Sequence, residues 1–358
     1  MISIVLGTRP EIIKMAPVIR ACQRTGTDYS VLHTGQHYSY EMDRIFFSEL
    51  ELPHPQYNLD VGSGNHAEQT GKIMTGIEKI YLADPPDIVL VQGDTNTVLA
   101  GALAAAKLHI PVGHIEAGLR SFDRRMPEEI NRIVADHIAD YLFVPTELSK
   151  QYLLREGIDA KKIFVTGNTV VDAVFQNRAI AQKKSSFLQE MGIGPDAYFL
   201  VTVHRAENVD EKTSLEAIMT GLSALGKSYG LPVIFPMHPR TQKMMKEFGI
   251  GSSGITIIPP VGFMEFLELE ANARLVLTDS GGVQEEACIL RVPCVTLREN
   301  TERPETITAG GNMLAGTDAE QIQRIAAKMM DASRTWENPY GDGTAGEKIV
   351  KACIHPGT

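Results

Sequence analysis

Short apolar segments alternate along the whole chain with longer segments in which apolar residues recur at helical spacing. Strands that are apolar on both faces and separated by helices predict parallel sheets covered by helices. In the first half the predicted strands are Ile2–Leu6, Tyr29–His33, Ile88–Gln92, Val112–Ile115, Tyr141–Val144 and Ile163–Val165, with helices at 11–24 and 97–108. In the second half the predicted strands are 198–203, 233–236, 256–258, 274–277 and 293–297, with helices near 213–228, 264–272, 282–290 and 318–332.

This alternation occurs twice, which predicts two doubly wound α/β domains. The length of 358 residues agrees, since globular chains average roughly 150 residues per domain. We place an N-terminal Rossmann-like domain at 1–167 and a C-terminal one at 168–344. A final helix at 345–358 is expected to pack back on the first domain. Ligands of such folds bind at the carboxyl ends of the strands, so we expect a site in a cleft between two facing domains.

Composition narrows the class of protein. The net charge of −10 disfavours nucleic acid and anionic membranes as partners, because both attract basic surfaces. No apolar run approaches the roughly 18 residues of a spanning helix, and the N-terminus lacks the basic region of a signal peptide. The four scattered cysteines form neither a disulfide framework nor a zinc cluster. We therefore expect a cytoplasmic protein from a reducing compartment.

Three glycine motifs match nucleotide-binding patterns without the required context. The P-loop pattern at 221–228 lies within a helical periodicity, whereas a working P-loop follows a strand. Gly249-x-Gly251-x-x-Gly254 precedes a strand, and Gly62-x-Gly64-x-x-Ala67 follows a segment too polar for a buried first strand. We therefore expect no nicotinamide site. A D-x-D motif is missing, and His33 and His37 flank a turn rather than share a helix face, so we also expect no metal.

Polar groups in the first domain cluster just after predicted strands. Gly7-Thr8-Arg9-Pro10-Glu11, followed by Lys14, suits a phosphate at a helix N-terminus, although a helix cap with solvated cations explains it equally well. Asp94 follows a strand and fits either an acid–base role or a cap. His114 and Glu116 share one strand face, and such a pair is more often structural. Glu128 lies in a first helical turn, where the helix dipole alone would favour it.

The second domain offers a matching set. His204 ends its first strand, where a histidine can meet a phosphate or transfer a proton. Ser280-Gly281-Gly282 opens a helix whose free N–H groups form a second anion site, or an ordinary capped start. Glu286 lies one turn further on, placed to accept from ribose hydroxyls, and Arg303 supplies another cation. Two phosphate-type sites, three acids and a histidine suggest a nucleotide-diphospho-sugar ligand.

These segments resemble, in order and over nearly the whole chain, the non-hydrolysing UDP-N-acetylglucosamine 2-epimerases. The resemblance rests on Gly7–Glu11, Gln92–Thr95, His114–Arg120, Pro127–Arg132, Asp279–Glu286 and Thr301–Glu305. It implies a GT-B fold, a homodimer, no cofactor, and interconversion of UDP-GlcNAc and UDP-ManNAc for surface polysaccharide or glycan synthesis. The implied catalytic residues are Asp94, Glu116, Glu128 and His204. The implied substrate-binding residues are Arg9, Lys14, Phe266, Ser280, Gly281, Gly282, Glu286 and Arg303.

The implied chemistry agrees with the missing dinucleotide site. The C2–H of an acetamido sugar is not acidic, but breaking the C1–O bond to UDP makes C1 cation-like and acidifies it. Removal of that proton gives a 2-acetamidoglucal and UDP, and re-addition with protonation from the opposite face inverts C2. We expect Asp94 and Glu128 to handle the proton on opposite faces. Glu116 would hold the sugar or assist transfer, and His204 with Arg9 would stabilise the departing UDP.

The chain departs from its relatives at a regulatory site. Bacterial relatives are typically activated by a second UDP-GlcNAc, held partly by a Gln and an Arg, where this chain has Ser39 and Glu68. The residues compatible with such a site are Gln36, Gln69, Arg205, Glu207 and His238. Two alternative functions share these features: a hydrolysing 2-epimerase that releases ManNAc and UDP, and a GT-B glycosyltransferase or inactive nucleotide-sugar-binding protein.

Overall fold

The computed structural model describes residues 1–36, 40–184 and 186–354. They form two compact units, one of 1–176 with 340–354 and the other of 177–339. The chain passes from the first unit to the second within the helix Thr169–Lys184, later than the boundary at 167 taken from the sequence. It returns at Tyr340, before the predicted boundary at 344. In the described ranges, no helix is both long enough and apolar enough to cross a membrane.

The first unit is built on a parallel sheet whose seven described strands have the order β3-β2-β1-β4-β5-β6-β7. Ile2 of β1 lies opposite Tyr29 on one side and Ile88 on the other. The strand order therefore reverses beside β1, and the carboxyl ends of β1 and β4 flank the point where ligands of such sheets bind. The strands are β1 (Ile2–Leu6), β2 (Tyr29–His33), β3 (Tyr57–Asn58), β4 (Ile88–Gln92), β5 (Val112–Ile115), β6 (Tyr141–Val144) and β7 (Ile163–Val165).

Helices connect these strands and cover the sheet. They are α1 (Arg9–Thr25), α2 (Tyr40–Glu49), α3 (His66–Ala83), α4 (Asn96–Lys107), α5 (Pro127–Ile138), α6 (Glu147–Arg155), α7 (Thr169–Lys184) and the C-terminal α16 (Ala345–Ile354). Helix α4 is rich in alanine and lies close to the sheet at its one glycine: a Cβ on Gly101 would stand 3.1 Å from Val91. Helix α16 packs against α1.

The second unit repeats the design with six described strands in the order β10-β9-β8-β11-β12-β13, all parallel. The strands are β8 (Phe199–Thr202), β9 (Val233–Pro236), β10 (Ile255–Ile258), β11 (Leu275–Thr278), β12 (Cys294–Thr296) and β13 (Asn312–Leu314). The helices are α8 (Phe187–Glu190), α9 (Ala206–Val209), α10 (Lys212–Tyr229), α11 (Pro239–Phe248), α12 (Phe263–Asn272), α13 (Gly281–Leu290), α14 (Pro304–Thr308) and α15 (Ala319–Met330).

Two apolar cores enclose this second sheet. Phe199 and Val201 belong to one core, whereas Tyr198 and Leu200 belong to the other. Successive side chains of a strand point to opposite faces, so both faces of β8 are buried. This explains why the strand is apolar at consecutive positions rather than alternately, and it confirms the prediction of helix-covered parallel sheets.

The structure adds two strands that the sequence did not predict. Tyr57–Asn58 pairs with β2, and Asn312–Leu314 pairs with β12, each as a short strand at a sheet edge. A strand at a sheet edge has a neighbouring strand on one side only and is less enclosed by the protein, so its residues need not be apolar on both faces. The motif at 62–67 therefore does lie between a strand and a helix. The P-loop pattern at 221–228 lies in α10, as expected.

Candidate active site

A cavity of about 380 Å³ opens in the first unit beside the carboxyl end of β4. Its walls come from the loop after β2, the start of α3, the loop after β4 and the start of α5. Asp94 and Glu128, both predicted to be catalytic, line it together. Among the described residues, the lining consists of Gln36, Ser63, Gly64, His66, Gln69, Asp94, Thr95, Asn96, Pro127, Glu128 and Asn131.

The Asp94 carboxylate is held from α5. Arg132 donates from Nε to Asp94 Oδ2 at 2.9 Å, and its other end pairs with the buried Glu129. Glu129 in turn accepts from the backbone N–H groups of Ser121 and Phe122, at 2.9 and 3.0 Å. Of the two adjacent acids in this helical turn, Glu129 is therefore structural, while Glu128 is exposed and faces the cavity.

Glu116 is 6% exposed, and its carboxylate lies beside Gln92 and Gly93, which directly precede Asp94. Its Oε1 accepts from Lys14 Nζ at 2.6 Å and from Asn168 Nδ2 at 3.0 Å, and its Oε2 accepts from Gln92. The backbone of Glu116 is left-handed, with φ of +70°, immediately after β5. Two predicted site residues, Lys14 and Glu116, thus form one ion pair in which Glu116 is buried and Lys14 is half-buried, and neither is among the described lining residues of the cavity.

His114 belongs to a buried network of charged side chains with Asp136 and Arg120, next to the segment that carries Asp94. Its Nε2 donates to the Gly93 carbonyl at 2.8 Å and its Nδ1 lies 2.7 Å from Asp136. Burial opposes protonation of His114, but the Asp136 carboxylate outweighs it and raises the pKa of the imidazole. Burial likewise opposes ionisation of Asp136, while His114 and Arg120 hold its pKa below the ordinary range. This histidine is structural, since both ring nitrogens are engaged, and it fixes the loop that carries Asp94.

In the loop after β1, a carboxylate of the protein itself accepts the hydrogen bonds of the loop. The buried Glu11 carboxylate accepts from Gly7 N–H at 2.8 Å and from the hydroxyls of Thr8 and Thr95 at 2.9 and 2.6 Å. Burial raises the pKa of Glu11, against these hydrogen bonds. The Gly7 N–H therefore has an acceptor within the protein. Arg9 lies over the ring of Phe46, 5.8 Å from its centroid.

In the second unit, the buried Asp279 joins two segments that the sequence singled out separately. It follows β11 directly, and its carboxylate accepts from the backbone N–H groups of His204 and Arg205 at 3.0 and 2.9 Å. Asn208 Nδ2 adds a third bond at 3.1 Å. The His204 ring, 49% exposed, is thereby held next to the start of α13.

Helix α13 begins at Gly281 with Ser280 as its N-cap residue, and no side chain caps its first N–H groups in the described structure. A Cβ on Gly281 or Gly282 would meet nothing nearer than 3.9 Å, so space is open here. Glu286 is half-buried one turn later, beside the fully buried Glu270. Arg303 pairs with Glu285 at 2.8 Å, and Phe266 packs on the core that contains Tyr198.

The geometry agrees with comparisons to known proteins. A family model described as UDP-N-acetylglucosamine 2-epimerase matches residues 20–354. This chain belongs to the UDP-N-acetylglucosamine 2-epimerase family. The family predicted from the motifs is thus confirmed, and with it membership of a class of isomerases.

Individual members of the family match over almost their full length. The UDP-N-acetylglucosamine 2-epimerase of Methanocaldococcus jannaschii is 57% identical over 362 residues, covering 99% of both chains. That of Methanococcus maripaludis is 55% identical over 357 residues, covering 98% of this chain and 97% of the relative. A crystal structure of the M. jannaschii enzyme in complex with UDP-GlcNAc and UDP superposes with a TM-score of 0.85 at 56% identity, covering 99% of both chains. The predicted two-domain, Rossmann-type fold of GT-B kind is confirmed.

The residues predicted to be compatible with a regulatory site divide between the units. Gln36 and Gln69 are buried and line the cavity, and Gln36 Oε1 accepts from the N–H of Thr97 at 3.0 Å. In the second unit, Arg205 lies 3.9 Å from Glu302, Glu207 pairs with Arg298 at 3.2 Å, and the imidazole of His238 caps α11. Glu68 pairs with Lys72 on the surface. Ser39 and His37 lie outside the described residues, as do 355–358 of the predicted C-terminal segment.

Sequence reasoning assigned no role to Arg132, Asn131 or His66. Arg132 and Asn131 belong to the family motif on α5, but only the fold shows that they hold the Asp94 segment. His66 starts α3 directly after the short strand β3 and its loop. The available signal was a histidine at a helix start after a glycine-rich loop, and it was missed because the edge strand before it was too polar to recognise.

Proposed function

We propose that this chain interconverts UDP-GlcNAc and UDP-ManNAc without hydrolysing either. The observation that carries the proposal is the cavity in which Asp94, after β4, and Glu128, at the start of α5, present two carboxyl groups from different elements. Inversion of C2 needs one group to remove a proton and another to deliver one from the opposite face. Binding or glycosyl transfer alone would not require that pair.

In the proposed reaction, the C1–O bond breaks, its electron pair leaves with UDP, and C2 loses a proton to one carboxylate. The product is a neutral 2-acetamidoglucal. UDP then re-adds to C1 while the other carboxyl group protonates C2 from the opposite face. Arg132 keeps the Asp94 carboxylate in place throughout. Protons balance over the whole turnover: the acid that removes the C2 proton starts as a carboxylate, the acid that delivers one starts protonated, and the two end with these states exchanged until proton exchange with solvent resets them.

The remaining residues support binding and departure of UDP. Glu116 holds the Lys14 ammonium and assists through it, since its own oxygens already accept three hydrogen bonds. In the second unit, His204 and the N–H groups at Ser280–Gly282 would stabilise the diphosphate. Glu286 would accept from the ribose hydroxyls. Phe266, Arg9 and Arg303 complete the substrate-binding set.

The first test is incubation with UDP-GlcNAc in deuterated water, followed by proton NMR without added NAD or metal. The expected result is UDP-ManNAc that carries deuterium at C2. Asp94→Asn and Glu128→Gln should each slow this exchange by roughly 10²- to 10⁴-fold. Glu147→Gln, which changes an exposed acid in the first turn of α6, is the matched control and should retain full exchange.

Other results would change the conclusion. Full deuterium incorporation in both Asp94→Asn and Glu128→Gln would refute the assignment of these acids. Free ManNAc with UDP would instead identify a hydrolysing epimerase, and a requirement for an acceptor sugar would identify a transferase. Unchanged substrate would leave nucleotide-sugar binding as the function.

The family resemblance supports two broader proposals. The chain would act as a cytoplasmic homodimer, and its product would supply ManNAc-type sugars for surface polysaccharide or glycan synthesis. Light scattering on the purified protein tests the first: a mass near twice 39.2 kDa is expected, and a mass near that of one chain would contradict it.

A further inference from the structure

The cavity contains a histidine that the proposed reaction does not use. His66 is the first residue of α3, and its exposed ring lines the cavity with Asp94 and Glu128. Its Nδ1 lies 3.2 Å from Nδ2 and 3.4 Å from Oδ1 of Asn96. Within the described part of the chain, the hydrogen bonds of this ring all involve Nδ1. The role of the ring therefore depends on which nitrogen carries the hydrogen.

The hydrogen bonds of the surrounding side-chain amides determine which nitrogen of His66 carries the hydrogen, and the first of these amides is Gln69. Its Nε2 lies 2.9 Å from two backbone carbonyl oxygens, those of Gln36 and Gly62. A carbonyl oxygen only accepts, so this atom must be the amide nitrogen and donate to both. The other amide atom of Gln69, the acceptor Oε1, then lies 2.8 Å from Asn96 Nδ2.

Asn131 anchors the other end of the chain of amides. Its Nδ2 donates to the Asp94 backbone carbonyl at 2.8 Å and lies 3.4 Å from Asn96 Oδ1. The Asn96 amide is thereby oriented from both sides, with its Nδ2 towards Gln69 and His66. Of the two hydrogens on Nδ2, one goes to Gln69 and the second points to His66 Nδ1. In the neutral ring Nδ1 is therefore the acceptor, and Nε2 carries the hydrogen.

We propose that His66 binds the sugar of the substrate by donating its Nε2–H to an uncharged acceptor oxygen, either the acetamido carbonyl or a hydroxyl. This rests on the proposed function, because it places the sugar in the cavity of Asp94 and Glu128. The hydrogen bonds that run from the Gln36 and Gly62 carbonyls through Gln69 and Asn96 keep Nδ1 of His66 as an acceptor. The Nε2–H is therefore available as a donor before substrate binds. His66 is thus a substrate-binding residue rather than the acid or base at C2.

The tautomer is tested without any reaction, by two-bond ¹H–¹⁵N NMR on the full-length protein labelled with ¹⁵N-histidine. His66→Gln identifies the His66 signals by their disappearance. In spectra of the neutral ring, the expected pattern is hydrogen on Nε2 and an unprotonated Nδ1. A neutral ring with hydrogen on Nδ1 would overturn the proposal, because Nε2 could then only accept.

The binding role is tested by His66→Phe, which keeps an aromatic ring and removes the donor. Loss of one hydrogen bond between uncharged groups should raise KM for UDP-GlcNAc by roughly fivefold, leave kcat within about twofold, and leave the affinity for UDP unchanged. His137→Gln, on the exposed face of α5, is the control and should match the wild type. Unchanged KM, or a fall in kcat at unchanged KM, would contradict the binding role.

Titration calorimetry with UDP-GlcNAc and UDP-glucose separates the two acceptors and keeps the test independent of turnover. If the acetamido carbonyl accepts, His66→Phe lowers the affinity for UDP-GlcNAc but not for UDP-glucose. If a hydroxyl accepts, the variant lowers the affinity for both ligands equally. Equal affinities of wild type and variant for both ligands would refute the proposal even if the wild type epimerises. Conversely, a wild type that does not epimerise would refute the proposed function, while these affinities would still decide the role of His66.

Discussion

Glu270 on α12 is a carboxyl group that no solvent reaches. Burial and the neighbouring Glu286 raise its pKa well above the ordinary carboxyl range. A carboxyl whose pKa is higher in the folded than in the unfolded chain ionises more easily in the unfolded chain. Its contribution to the free energy of unfolding therefore falls as pH rises. Its contribution to stability is therefore fully present in acid and is lost between the unfolded and the folded pKa.

Glu270→Gln removes this ionisation while keeping a similar shape. We expect the variant to gain free energy of unfolding relative to the wild type as pH rises, so that its gain is larger at pH 8 than at pH 5. Urea denaturation at the two pH values measures both. Glu247→Gln, at an exposed position on α11, should show no such dependence on pH. An equal gain at both pH values would mean that Glu270 does not titrate in this range.

At the scale of elements, the attachment of α16 to α1 depends on a close approach of backbones. A Cβ on the buried Gly346 would lie 2.8 Å from the Pro17 carbonyl oxygen. The start of α16 is capped by Asp172 of α7, whose carboxylate accepts from the N–H groups of Ala345 and Gly346 at 3.2 and 2.9 Å. A side chain at Gly346 would push α16 away from both partners.

Gly346→Val should therefore destabilise the protein by about 1–3 kcal/mol and expose the C-terminal segment to proteases. The matched control is Gly71→Ala on the exposed face of α3, where an added Cβ meets nothing within 4 Å. That variant should gain about 0.5–1 kcal/mol, because alanine favours the helix. Thermal unfolding and limited proteolysis measure both effects. A Gly346→Val protein as stable as the control would show that α16 does not depend on this contact.

For the molecule as a whole, the two units carry different parts of the proposed chemistry. The acid pair Asp94 and Glu128 lies in the first unit, and the residues proposed to bind the ribose and diphosphate, Glu286 and Ser280–Gly282, lie in the second. Nucleotide affinity and proton transfer should therefore respond to different substitutions.

Glu286→Gln is expected to weaken UDP binding at least tenfold, because a hydrogen bond to a charged group is lost. Asp94→Asn should retain UDP affinity while losing epimerisation. UDP at a hundredfold excess over Kd should stabilise the wild type and Asp94→Asn by about 2.7 kcal/mol. Calorimetry and thermal unfolding with UDP measure these effects. Equal loss of UDP affinity in both variants would show that the functions are not divided in this way.

The sequence by itself determined both sheets and the segments that carry the site. Parallel strands buried on both faces must be apolar throughout, so runs such as Ile88–Gln92 and Val233–Pro236 were recognisable without any partner. Polar residues directly after such strands, including Asp94 and His204, could be placed at the carboxyl edge for the same reason. The short edge strands β3 and β13 could not be predicted, because strands at a sheet edge are less enclosed and lack the continuous apolar run of a strand buried on both faces.

Only the tertiary structure decided which side chains act together. Glu116 is bound to Lys14 and Asn168, which lie 102 and 52 positions away along the chain. His66 is oriented by Asn96, 30 positions away, and Asp279 holds the backbone of His204, 75 positions away. Local periodicity contains no information about such partners. They become neighbours because strand order within each sheet brings distant loops to one edge, where burial requires each polar group to find a partner.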